Sequence, residues 1–321
     1  MLRRTVLSLS IALFALVPAH AQQWTYTDAS GQTVTLDAVP ERIIMHQDAA
    51  AGLIPLGIRP VGIYADGAIA DAKALQGLDL TGIEIVGQTW GEVDIEKVAA
   101  LQPDLIIGEW WDRNAAWSGG EVAGLLAEIA PITGPAASDS IIGMIAEYEV
   151  LAESLGADLS EPSIAEAKAG FDASLAAFKS AVAAKPGLTA LAVYAGDDAL
   201  YVADPAGAAE LLDLESWGLD IVHPEGVDAA GNNYFETVSW ENADKYPADL
   251  VMVDNRAPAT LQNALAQPTW TTIPAVAAGA VTEWPAFWLR NYAAYAGALD
   301  LLTAAISAAD AKTAADAETA D

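Results

Sequence analysis

Val93-Asp94-Ile95-Glu96 opens a short helical pattern that runs into Pro103-Asp104-Leu105-Ile106-Ile107. Val238-Ser239-Trp240-Glu241 opens a second one that runs into Pro247-Ala248-Asp249-Leu250-Val251. In each copy an Asp or Ser stands where it can cap a helix, and a Glu in the first turn complements the positive end of the helix dipole. Good helix starts explain each copy for stability alone. The same device in both halves suggests, in addition, two similar lobes that present matched acidic points. In both, helix gives way to a short apolar run bounded by turn residues, the pattern of a buried parallel strand.

Working outward, the same alternation fills the chain. Strands are expected at Arg42–Met45, Val61–Tyr64, Ile83–Val86, Leu105–Gly108 and near Ile132, with helices at Ala49–Leu56, Ile95–Leu101 and Val122–Ile129. The second half repeats the alternation with strands at Thr189–Tyr194, Leu200–Val202, Leu250–Val253 and Ala280–Val281, and helices at Ala206–Trp217, Trp240–Tyr246 and Tyr292–Ala308. This is an α/β chain. Between the halves, Ile142–Leu155 reads as one helix ending at Gly156. Ser160 can cap the next, with Pro162 in its first turn, where a missing N–H costs little. Ile164, Phe171, Leu175, Phe178 and Val182 line one face of it, and Lys185-Pro186-Gly187 stops it. At roughly 36 Å such a helix can run down the backs of two lobes.

Composition narrows the function. The chain has 321 residues, 44 acidic against 14 basic, a net charge of −30 and no cysteine. So acidic a body repels phosphate backbones, so nucleic acid is not an expected partner. Without cysteine there is no disulfide framework, thiolate metal site or thiol nucleophile, and no acceptor for a thioether lipid anchor. Met1–Arg4 is positive, Val6–Val17 is apolar or small, and Ala19-His20-Ala21 has the form of a cleavage signal. These are the three parts of a secretory leader in order, and cleavage after Ala21 is expected to release a periplasmic or secreted protein that is not membrane-anchored. Ala308–Asp321 is Ala-rich and acidic with no apolar stripe, and is expected to be a disordered acidic tail.

The blocks also resemble a known family, the substrate-binding proteins of ABC importers for ferric siderophores, haem and cobalamin. Pro40-Glu41-Arg42-Ile43-Ile44 with Leu56-Gly57-Ile58-Arg59-Pro60-Val61-Gly62 looks like the family's opening strand and first crossover. Ile95–Ile107 is its most recognisable block. Ile129-Ala130-Pro131 resembles the end of the first lobe, and Pro268-Thr269-Trp270 with Ile273-Pro274-Ala275-Val276 and Gly279 matches a C-terminal stretch. The opening helix, Asp48–Leu53, departs from the family in lacking a Glu. The resemblance implies two Rossmann-like lobes joined by one long α-helix, with the ligand cleft between the lobes. On this reading residues 1–21 are the leader, 22–158 the N-terminal lobe, 159–186 the connecting helix, 187–308 the C-terminal lobe and 309–321 the tail. It also implies a monomer that docks on an inner-membrane ABC permease through one Glu per lobe, and Glu96 and Glu241 match those positions.

The resemblance places several aromatic and basic residues in loops at strand ends, where α/β sheets bind ligands. Trp90, Trp110, Trp111, Arg113 and Trp117 fall there in the first half, and Tyr234, Phe235, Arg256, Phe287, Trp288 and Arg290 in the second. Flat aromatic faces with a few guanidinium groups suit a bulky, partly apolar chelate whose metal is already coordinated. Each Trp can equally be core; Trp217 and Trp270 read that way, and Arg256 can pair with Asp254. His46 follows the first strand and can touch ligand, and Tyr64 or His46 would supply an iron ligand to haem. Beyond the leader only His46 and His223 remain, in different halves, so a bare transition-metal site in the protein is not expected, nor a cofactor. No Gly-x-Ser-x-Gly, His-Glu-x-x-His or Gly-rich phosphate loop supports an exported hydrolase. A structural or adhesive role would leave the aromatics and paired acids unexplained. A ferric siderophore, of hydroxamate type from the likeness of Ile273–Ala278 and Trp284–Trp288, is the expected ligand, with cobalamin and haem as alternatives.

Overall fold

The computed structural model describes residues 23–28, 30–112, 115–116, 122–135, 138–227 and 234–309, with backbone alone at 110–112 and 115–116. The expected leader and the tail beyond Ala309 lie outside these residues. An antiparallel hairpin of β1 (Trp24–Thr27) and β2 (Thr33–Leu36) precedes the first lobe. There follow β3 (Ile43–His46), α1 (Gln47–Leu53), β4 (Gly62–Ala65), β5 (Glu84–Gln88), α2 (Ile95–Ala100) and β6 (Leu105–Ile107). A small ribbon of β7 (Trp110–Asp112) and β8 (Ala115–Ala116), then α3 (Val122–Ala127) and β9 (Ile132–Thr133), complete the lobe. Its sheet is parallel throughout, in the order β5-β4-β3-β6-β9.

After α4 (Ile141–Ser154) and α5 (Pro162–Ala183) the second lobe begins with β10 (Thr189–Ala195) and β11 (Ala199–Ala203). It continues through α6 (Ala209–Ser216), β12 (Asp220–Ile221), β13 (Phe235–Ser239), β14 (Leu250–Asp254) and α7 (Ala259–Ala266). It closes with α8 (Pro274–Ala277), β15 (Val281–Trp284) and α9 (Tyr292–Ala308). The sheet order is β13-β11-β10-β14-β15, with β12 beside the start of β10; β10, β14 and β15 are parallel, and β11 is antiparallel to both neighbours.

Both sheets are covered on both faces, which is why the central strands β3, β6, β10 and β14 read as apolar runs, whereas the edge strands β5, β13 and β15 carry exposed polar residues. Ile43 and Met45 enter one core of the first lobe and Ile44 the other; Leu105 and Ile107 divide from Ile106 in the same way. In the second lobe Ala190, Ala192, Leu250 and Met252 face one core and Leu191, Val193, Val251 and Val253 the opposite one. Successive side chains of a strand point to opposite faces, so each run feeds two cores.

The repeated Pro-Asp and Pro-Ala-Asp segments acquire a structural meaning. Asp104, just before β6, accepts hydrogen bonds from the backbone N–H groups of Glu41 and Arg42 at 3.1 and 2.8 Å. Asp249, just before β14, accepts one from the N–H of Thr189 at 3.0 Å. Each carboxylate thus pins the start of the neighbouring central strand. The helix starts differ between the copies. Asp94 caps α2 through the Lys97 N–H at 2.9 Å, whereas Ser239 makes no side-chain cap and only a 3₁₀ turn, Trp240–Asn242, forms where a helix to Tyr246 is expected. Trp240 is buried there, its indole N–H donating to Gly196 O at 3.2 Å, so the turn is set by its side chain.

Two helices cross between the lobes. Ile141, Met144 and Ile145 of α4 belong to the second lobe's core, while Tyr148, Leu151 and Ala152 belong to the first. α5 returns the chain, from Ile164 in the first core to Phe171 and Phe178 in the second. Its 22 residues span about 33 Å. Glu161, not Ser160, occupies its N-cap, because the Ser160 hydroxyl is engaged by Asp158 at 2.6 Å. α1 packs closely on α4: a Cβ at Gly52 would lie 2.6 Å from the Tyr148 ring. Gly52→Ala should therefore lower stability by about 1–3 kcal/mol, the usual cost of overpacking, measured by urea unfolding. An unchanged midpoint would show that the two helices are free to separate there.

Candidate functional site

A cavity of about 740 Å³ lies between the lobes, within the range of small-molecule sites. The first lobe lines it with Gln47 and Asp48 after β3, Asp66 after β4 and Glu109 after β6. The second lines it with Arg256 after β14, Phe287, Trp288 and Arg290 after β15, and Glu210 in the first turn of α6. Loops at the carboxyl ends of parallel strands thus build both walls, as in open α/β sheets generally.

A buried ionic network joins the walls. Arg290 donates through Nε to Glu109 Oε2 at 2.6 Å and through Nη2 to Glu109 Oε1 at 2.7 Å. Nη2 also reaches Asp48 Oδ2 at 3.4 Å, and the Tyr148 hydroxyl donates to Glu109 Oε2 at 2.6 Å. Burial lifts the Asp48 carboxyl to about 6, against the pull of Arg290. The neighbouring Asn291 ties the lobes again, its Nδ2 donating to Ala51 O at 3.0 Å.

The second wall carries a strained aromatic. Phe287 has φ 63°, a left-handed conformation that is rare for a bulky residue and costs roughly 1–3 kcal/mol. Its N–H donates to Glu210 Oε1 at 3.0 Å, and the Trp284 indole donates to the same oxygen at 3.0 Å. Its ring packs on Tyr234 and Trp284, with centroids 5.1 and 5.6 Å away, and the Arg256 guanidinium stands 4.8 Å from its centre. Arg256 is paired with the buried Asp254 at 2.8 Å. Trp288 packs against the cores of both lobes and donates to Asn255 Oδ1 at 2.7 Å.

Of the residues singled out by sequence, then, Arg256, Phe287, Trp288 and Arg290 meet in the cavity. Tyr234 stands behind Phe287, with Phe235 packed beside it in β13 at 4.8 Å. His46 is fully buried; its Nδ1 accepts from the Asp48 N–H at 3.3 Å and its Nε2 faces Asp66 Oδ1 at 3.2 Å, so it shapes the wall without lining it. Tyr64 is also buried, edge-on to His46 at 5.2 Å. Trp90 is 51% exposed, on the loop after the edge strand β5 and outside the cavity lining. The side chains of Trp110 and Trp111, together with Arg113 and Trp117, lie outside the described residues. Glu96 and Glu241 are both exposed, one on each lobe. Trp217 and Trp270 are packed among core residues. Sequence reasoning passed over Asp48, Glu109 and Glu210; the position of Glu109 just past a strand's carboxyl end was the available signal.

Residues 70–286 match the family model described as periplasmic binding protein. The chain belongs to the periplasmic binding protein family, with the fold of the binding components of siderophore-class ABC importers. Among solved structures it is 32% identical to DesE, a ferric-siderophore receptor protein from Streptomyces coelicolor, over 89% of this chain and 99% of that one, with a TM-score of 0.82. A siderophore periplasmic binding protein from the fuscachelin gene cluster of Thermobifida fusca is 25% identical over 84% and 97%, with a TM-score of 0.60. SirA from Staphylococcus aureus, solved with staphyloferrin B, shares the fold at 20% identity over 89% and 99%, with a TM-score of 0.61. No curated protein matches the chain. Among the described residues no helix is long and apolar enough to cross a membrane.

Removing Arg290 leaves two buried carboxylates without their counter-charge. Arg290→Met should destabilise the protein by about 3–5 kcal/mol in chemical denaturation at pH 7. A loss below about 1 kcal/mol would mean that the network is hydrated and does not tie the lobes.

Proposed function

We propose that this protein captures a ferric siderophore of the hydroxamate type in the cleft between its lobes and delivers it to an inner-membrane ABC permease, without catalysing a reaction. One observation carries the hydroxamate assignment. Among the described residues, both guanidinium groups lining the cavity are already paired with buried carboxylates, Arg290 with Glu109 and Arg256 with Asp254. A ferric tricatecholate is trianionic and needs cationic partners; a ferric trihydroxamate core is neutral. Phe287 and Trp288 offer that core aromatic faces, and Asp48 and Glu109 would repel an anionic one. The likeness to DesE supports a ferric-siderophore ligand. Export through the leader at 1–21, with Gln22 as the first residue of a monomeric mature chain, is part of the same reading.

Trp288 in the cleft wall makes the ligand visible. Tryptophan-fluorescence titration should show saturable quenching by ferric trihydroxamates and none by ferric tricatecholates or ferric citrate at the same concentration. Saturable quenching by haemin or cobalamin, with none by ferric hydroxamates, would replace the reading with those ligands.

Delivery is assigned to Glu96 and Glu241, exposed acids of the first turns after β5 and β13. Hydrogen bonds from its own N–H and from Ser239 hold the Glu241 carboxyl below the ordinary range, so it stays charged at neutral pH. Replacing both with Ala should abolish uptake in cells carrying the permease while leaving chelate affinity intact. Full uptake by the double variant would remove the docking assignment.

A further inference from the structure

Among the described residues both guanidinium groups on the cavity wall are paired with carboxylates, Arg290 with Glu109 and Asp48 and Arg256 with Asp254, while Asp66 faces the His46 imidazole. Glu210 is 1% exposed, lines the cavity, and forms no ion pair among the described residues. Its Oε1 accepts from Trp284 and Phe287, both neutral donors. Burial lifts its pKa to about 7, against the weaker pull of these donors and of the Arg290 charge, which is itself bonded to Glu109 and Asp48. A cation arriving with the ligand would relieve that burial cost through a charge-assisted hydrogen bond. The exposed Asp71 and Asp139 add negative charge to the same lining, against a single cation without an ion pair among the described residues, Lys73. The net charge of −30 adds a long-range attraction of the same sign.

We propose that the cleft selects a ferric chelate bearing a positively charged group at its periphery, and that Glu210 is the residue that receives it. This rests on the siderophore reading above and adds to it the charge of the ligand and the residue that senses it. The strained Phe287 backbone has a role in the same design: its N–H, held on Oε1, orients the carboxylate within the wall.

The test uses one linear ferric trihydroxamate in three forms, with its terminal amine free and cationic, acetylated and neutral, or succinylated and anionic. Calorimetric titration of the full chain should rank the affinities cationic, neutral, anionic, with about tenfold or more between the first and the last. Glu210→Gln keeps the acceptor oxygen for Trp284 and Phe287 while removing the charge, and should collapse the ratio between the cationic and neutral forms toward unity. Equal affinity for the three forms on the wild-type protein would overturn the proposal without any variant. A Glu210→Gln protein that retains the full wild-type ratio would overturn the role of Glu210. Binding of none of the three would overturn the hydroxamate reading itself.

Discussion

Arg290 and Glu109 are 181 residues apart and belong to different lobes, yet they meet in a bidentate pair buried from solvent. Neither charge is tolerable there alone, because desolvation of an unpaired ion costs several kcal/mol. The pair therefore requires the loop after β6 and the loop after β15 to be brought together. Its further partners extend the requirement. Tyr148 brings α4 to the same point, and Asp48 brings the start of α1. Gly52 has no side chain because that helix must lie against the Tyr148 ring. One ionic contact thus correlates the lobes, the crossing helix and the cavity between them. Buried ion pairs are rarely strong net stabilisers; the physical effect here is to specify a single lobe arrangement.

With α4 and α5 both crossing, and Asn291 bonded to the backbone of α1, relative motion of the lobes has little freedom. Recognition must then come from a preformed wall. Phe287 shows how that wall is held: its unfavourable φ is offset by a hydrogen bond to Glu210, by two ring contacts and by the Arg256 guanidinium. Strain of this kind persists where the surroundings over-determine a residue, and it concentrates at binding sites.

The central strands were legible because each feeds two cores and is apolar along its length, a pattern that survives without knowledge of the fold; the edge strand β13, Phe235–Ser239, alternates with polar residues and carried no such signal. The residues after β15 were legible for a different reason. Trp, Phe and Arg are conspicuous against so acidic a chain, and here the conspicuous residues did meet in the cavity. The same contrast hid Glu109 and Glu210, since two among 44 acids carry no mark of their own. His46 and Tyr64 read as ligand contacts from their places near strand ends, but sheet β3-β4 is covered on both faces and both side chains are buried in it. Trp90 stands apart because it follows β5, the edge of its sheet, and is not among the residues that line the cavity.

Sequence alone determined the α/β alternation in two halves, the long helix between them and the repetition of an Asp just before a strand in each half. All of these rest on local periodicity and local motifs; that each Asp pins a strand some 60 residues away in the chain is tertiary. It also established a strongly acidic chain without cysteine. Tertiary structure alone decided which charges are neutralised. Arg256 pairs two residues away, but Arg290 pairs across the cleft, and Glu210 is left with neutral donors. Electrostatic pairing depends on distance and burial, which are properties of the folded chain and not of its order of residues.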